Sequence, residues 1–177
     1  FDETGSMVAE VIDNTTSRGR TLRFLYDCDH EEFKRELFAL GEAPLPRYVI
    51  DNRTEPHATP DDLVDFQTVF AKKEGAVTAP ATGLHFSREL MKRMEIRGIH
   101  DAYLTLHCGL GNFNSIEVED LTKPKMDSEQ MVIDAEACAK VNQAKREGHH
   151  VLAVGVSVVK ATETAVGTDG MLKEYDG

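Results

Sequence analysis

Cysteine is scarce in this chain, basic residues are outnumbered, and no long apolar run occurs. The three cysteines, Cys28, Cys108 and Cys138, are odd in number, far apart and never spaced as a Cys-x-x-Cys pair. That spacing argues against a disulfide framework and against a structural zinc site, so the thiols are expected to be reduced and buried. No apolar stretch approaches the roughly 20 residues that a membrane-spanning helix needs. The opening Phe1-Asp2-Glu3-Thr4 lacks the basic start of a secretory signal. No membrane partner is therefore expected, and the cytoplasm is the expected location. Lys and Arg number 20 against 31 Asp and Glu, a net charge of -11. Phosphate binding draws on clustered cations, so this balance argues against a general nucleic-acid surface and restricts any polynucleotide contact to a local patch. The basic concentrations are Arg18, Arg20 and Arg23, the pair Lys72-Lys73, and Arg88, Lys92, Arg93 and Arg97. The last group follows helical spacing and reads first as a solvated helix face, with RNA phosphate contact by Arg88 and Lys92 as the alternative.

What is present is a globular pattern. The 177 residues, 41% hydrophobic and 29% charged, suffice for one domain, or one domain plus a small appendage. Met7-Val8-Ala9-Glu10-Val11-Ile12 and Thr21-Leu22-Arg23-Phe24-Leu25-Tyr26 alternate as half-buried strands around a polar turn, which predicts a hairpin. Asp29 caps a helix over about 30 to 40 that stops at Gly41. Pro44, Pro46, Pro56 and Pro60 then break regular structure, and residues 43–62 read as a proline-rich, polar and mobile linker. Beyond it Ser87 caps a helix to about Ile96, Ala102, Leu104 and Leu106 alternate as a strand, and Asp134 caps a helix that stops at Gly148. Val151 to Val156 is apolar throughout, as a strand covered on both faces must be. The expected fold over residues 63–177 is thus an α/β core domain, a mixed, partly parallel sheet with flanking helices.

Two runs concentrate the chemistry. Gly75 to Phe86 and Thr105 to Phe113 each set glycines beside an isolated histidine, His85 and His107, where an apolar strand runs out. Glycine lets a ligand approach the backbone, and imidazole titrates near neutrality. Each histidine taken singly also fits a structural role at a strand end. Ligands of α/β sheets sit beyond the carboxyl ends of the strands, which is where His107 and Ser157 are expected. Glu129 reads either as a group orienting an imidazole or holding hydroxyls, or as an ordinary surface carboxylate. Gly109-Leu110-Gly111 lacks the third glycine of a dinucleotide fingerprint. Ser157 lacks the Gly-x-Ser-x-Gly context of a hydrolase nucleophile. His149-His150 have no third ligand spaced nearby, so no metal site is expected.

The succession Pro44 to Val49, Asp65-Phe66-Gln67-Thr68-Val69-Phe70-Ala71, Gly75 to Phe86, Thr105 to Phe113, Met126-Asp127-Ser128-Glu129 and Ala153-Val154-Gly155 resembles the S-adenosylmethionine:tRNA ribosyltransferase-isomerase family of queuosine biosynthesis over roughly residues 40 to 160. The resemblance implies transfer and isomerisation of the ribosyl moiety of S-adenosyl-L-methionine, a co-substrate, onto 7-aminomethyl-7-deazaguanine in the tRNA anticodon arm. Epoxyqueuosine is formed, and adenine and methionine are released. It implies a base near neutral pKa for the proton beside the sulfonium, with His85, His107 and Glu129 as the catalytic candidates. Thr82, Gly83, Gly109, Gly111, Ser157 and Lys160 are the substrate-binding candidates. The family's architecture also implies that residues 1–42 are the tail of a small β-barrel subdomain with its exit helix. Family members extend beyond both ends, so a fragment or shortened relative is expected. Asp127 stands where they carry histidine and Lys160 where they carry arginine, which changes proton inventory and anion geometry. Those two exchanges keep open a second reading, a non-catalytic adenosyl-ligand or RNA-binding relative.

Overall fold

A computed structural model describes residues 7–14, 20–55, 57–109 and 128–177. The chain divides into two compact units, Phe1–Ala43 and Pro44–Gly177. In the first, β1 (Val8–Asn14) pairs antiparallel with β2 (Arg20–Leu25), Val8 opposite Leu25 and Asn14 opposite Arg20, with a bulge between Val11 and Asp13. The helix α1 (His30–Leu40) starts where the Asp29 carboxylate accepts from the Glu32 amide at 2.9 Å. Phe33 on its first turn stacks on Tyr26 at 4.1 Å between centroids and tilts against Phe24 at 5.4 Å. The expected hairpin and helix are both present.

The second unit opens with α2 (Arg47–Ile50) and α3 (Asp62–Asp65). The polar stretch read as a mobile linker is tied internally: Arg53 donates two hydrogen bonds to the buried Asp62 carboxylate, at 2.6 and 2.5 Å, and the Thr59 amide and hydroxyl donate two more. A 3-10 turn at Ala81–His85 leads to α4 (Arg88–Ile96), whose first turn is capped by the Ser87 hydroxyl. A three-stranded sheet follows in the order β3 (Thr105–Leu106), β4 (Met131–Ile133), β5 (Tyr175–Asp176). Between β4 and β5 run α5 (Ala135–Arg146), capped by Asp134, and α6 (Val156–Ala165). The core gathers Met131 and Ile133 from β4, Ala137 and Cys138 from α5, Ala161 and Ala165 from α6, and Leu172.

Both neighbouring pairs of this sheet are antiparallel, and no parallel pair occurs among the described residues. The helices capped by Ser87 and Asp134 stand as the sequence predicts. The strand expected at 151–156 does not form: residues 151–154 have no ladder partner among the described residues, Leu152 is 83% exposed, and Val156 begins α6. Gly155, at φ +95°, turns the chain there, a conformation closed to β-branched residues. The valines of 156–159 fit a strand by propensity, but local preference yields to tertiary placement, and α6 buries Ala161 and Ala165 instead. The cysteines are free; Cys108 and Cys138 are buried and Cys28 half-buried.

Candidate active site

His107 follows β3, and its amide donates to the Gln130 carbonyl at 2.9 Å, continuing the ladder with β4 by one residue. Its Nδ1 is screened from solvent and has no hydrogen-bond partner among the described residues. Buried polar atoms are nearly always paired, so an imidazole nitrogen without a partner among the described residues singles out this strand end. Gly75 closes against this ring. At φ +133° its backbone lies so near that a Cβ there would sit 2.6 Å from Nδ1. The Val77 amide donates to the Cys108 carbonyl at 2.8 Å, which pins the Gly75 segment to the strand end. The two glycine-histidine runs therefore do meet, through Gly75 and His107.

A second arrangement anchors the same strand end. Glu129, whose side chain is only 10% exposed, accepts from the Gly109 amide at 3.1 Å and from Lys160 Nζ at 2.5 Å. Lys160 reaches it from α6, so three sequence-distant candidates form one unit. Glu129 is shielded while Lys160 stays half-exposed, so the charge-assisted bond gains strength from the acid's burial and the lysine still faces solvent. Glu129 and Lys160 also line a cleft of about 270 Å³ with Leu106, Ser128, Met131 and Thr164. Ser157, in the first turn of α6 and not beyond a strand, lies with its Oγ 3.9 Å from Cys108 Sγ.

The other candidates separate. Thr82 is exposed on the 3-10 turn and packs toward Gly155, where an added Cβ would lie 3.6 Å from the threonine Cβ. Gly83 is buried against Thr68 and Phe70. His85 is exposed at the end of that turn, and its side chain makes no hydrogen bond or ion pair among the described residues. Gly111 and Asp127 lie outside the described residues. On α4, Lys92 pairs with Glu95 at 2.8 Å and Arg93 with Glu89 at 2.5 Å, both exposed, while Arg88 has no carboxylate partner among the described residues. Sequence reasoning missed Gly75 as the neighbour of His107 and missed the Glu129–Lys160 pairing. The only legible signal for the former was a glycine at the head of the first run.

The Queuosine biosynthesis protein family model matches residues 2–177. Proteins named S-adenosylmethionine:tRNA ribosyltransferase-isomerase match along the same length: that of Phocaeicola vulgatus is 65% identical over 177 residues, all of this chain and 49% of the relative. That of Flavobacterium psychrophilum is 54% identical over the same span, again 49% of its length. That of Clostridioides difficile is 38% identical over 173 residues, 98% of this chain and 48% of the relative. The chain spans about half the length of the curated relatives it matches. With the family model covering nearly every residue, the glycine-histidine runs and the acid-lysine anchor belong to a member of the queuosine biosynthesis protein family.

Proposed function

We propose that this chain forms part of an S-adenosylmethionine:tRNA ribosyltransferase-isomerase and carries a share of its adenosyl-handling chemistry. One observation supports the reading above all others: the buried Nδ1 of His107, without a hydrogen-bond partner among the described residues, against the Gly75 backbone on a strand end that Glu129 and Lys160 tie down. In this reading His107 takes the carbon-bound proton beside the sulfonium, a task for a base within about 3 Å of that proton. Glu129 acts through the backbone it holds, keeping His107 in place. Gly75 lets the main chain close against the imidazole, and Gly109 leaves room for the adenosyl group to approach the backbone. Lys160 balances Glu129 and leaves about half its side chain exposed toward the cleft. His85 stays a second candidate for the catalytic base and Thr82, Gly83, Gly111 and Ser157 candidates for substrate binding, and no metal is part of this reading. The RNA substrate is a tRNA anticodon arm, handled in the cytoplasm. The fold proposed with this function keeps a partly parallel sheet, in which the apolar, exposed 151–154 run gains a strand partner, and a small β-barrel to which the β1–β2 hairpin belongs.

Titration calorimetry of S-adenosylmethionine into the folded chain tests the reading. Weak binding is expected, and His107→Ala should weaken it by tenfold or more. Absence of heat with any adenosyl compound, or an unchanged affinity in His107→Ala, overturns it.

A further inference from the structure

A second concavity, of about 320 Å³, lies on α4 away from the Glu129–Lys160 cleft. Its floor is apolar and aromatic: Phe70, Met91, Met94 and the ring of Tyr103, which is 45% exposed. The aromatic rings form a connected series. Phe70 lies 5.9 Å from Phe86 and 5.9 Å from Tyr103, both tilted, so the exposed ring stands on a packed base. The Tyr103 hydroxyl donates to Asp101, which fixes the ring's direction and occupies that carboxylate. Glu95, the other acid at the rim, is held by Lys92. Two further cations stand here: Arg88, which lines the concavity, and Lys72, outside its lining, whose Nζ stands 5.4 Å from the centroid of the Tyr103 ring. Neither has a carboxylate partner among the described residues.

A half-exposed ring with two cations beside it that lack a carboxylate partner among the described residues, on a chain of net charge -11, is chemically complementary to one class of ligand, a flat base carrying phosphates. We infer that this concavity receives one unpaired nucleotide of a single-stranded RNA loop, its base stacked on Tyr103 and its flanking phosphates on Arg88 and Lys72. The inference rests on the reading that RNA is a substrate, and adds where an unstacked base is held. Arg88 suits the phosphate by its fork of donors; Lys72 stands farther from the ring than a stacked base would, and its flexible stem can swing the ammonium to a phosphate.

The test uses a fluorescently labelled RNA hairpin with a seven-nucleotide loop, titrated by anisotropy with the full chain across a salt series. Tyr103→Leu should weaken binding roughly five- to a hundredfold, the usual worth of one base-aromatic stack. Tyr103→Phe keeps the ring and should bind within twofold of the parent, which separates stacking from misfolding. Arg88→Gln and Lys72→Gln should each lower the slope of log affinity against log salt by about 0.7, as for one single-strand phosphate contact. Blunt double-stranded RNA of equal length, or polyglutamate, should compete poorly. No hairpin binding, unchanged affinity in Tyr103→Leu, or equal competition by either of those polyanions overturns the inference. S-adenosylmethionine calorimetry on the same variants should be unchanged, so a failure here is distinct from a failure of the adenosyl reading.

Discussion

Gly75 illustrates how much one missing side chain decides. Its φ of +133° is strained for any L-residue, and a Cβ would enter the His107 imidazole at 2.6 Å. The Val77 amide bond to Cys108 holds the segment, so the imidazole is what must yield. Gly75→Ala should therefore cost about 1–3 kcal/mol of stability and reduce adenosyl binding further than the fold requires. Gly148→Ala is the matched control, because its φ of +75° is also positive and nothing among the described residues lies within 4 Å of its added Cβ. Denaturant midpoints and calorimetry on both variants check the contrast; equal effects would mean that the His107 contact is incidental. At this scale the sequence shows residue types well. Glycine beside histidine was legible as a place for close approach, whereas the particular glycine that faces His107 depends on a contact between runs that no local pattern encodes.

At the scale of elements, the helices announced themselves through their caps. Asp29, Ser87 and Asp134 each accept from an amide three residues on, and each was readable because a cap and a 3.6-residue apolar stripe are local features. The connections were less readable. Asn142 on α5 donates to the Leu172 carbonyl at 2.8 Å and accepts from the Leu172 amide at 2.8 Å, all buried. Asn142→Ala would leave both backbone groups of Leu172 without these bonds, and a loss of about 2–6 kcal/mol is expected from two such penalties, measured by urea denaturation. The Arg53–Asp62 tie gives a pH dependence. The Arg53 guanidinium first, then the Thr59 amide, holds the Asp62 carboxyl well below the usual carboxylate range. A depressed folded-state value means that the stabilisation is complete above the ordinary value of 3.8 and is lost as pH falls through the lower folded one. The urea midpoint should thus decline on acidification below about pH 4, and Asp62→Asn should lower the midpoint at pH 7 while flattening that decline. An unchanged acid limb in the variant would assign the decline to other carboxylates.

For the molecule as a whole, the sequence by itself determined the class of answer. The charge balance argued against a general nucleic-acid surface, the absence of a long apolar run against a membrane-spanning helix, and six motifs in order carried the resemblance to the queuosine biosynthesis family, which the match over residues 2–177 bears out. Hairpin, capped helices and glycine-histidine runs follow from periodicity, capping chemistry and backbone freedom, which act over a few residues and are written locally. Tertiary structure decided the rest. Val151 to Val156 has the composition of a buried strand, yet Gly155 turns the chain and α6 takes Val156 onward into a helix that buries its alanines on the core. The pairing of Glu129 with Lys160, the packing of the His107 ring on Gly75 and the rings beneath Tyr103 likewise exist only where distant segments are brought together. Strand partners and site geometry are set by burial and by the pairing of polar groups across long sequence separations, terms that a local pattern does not contain.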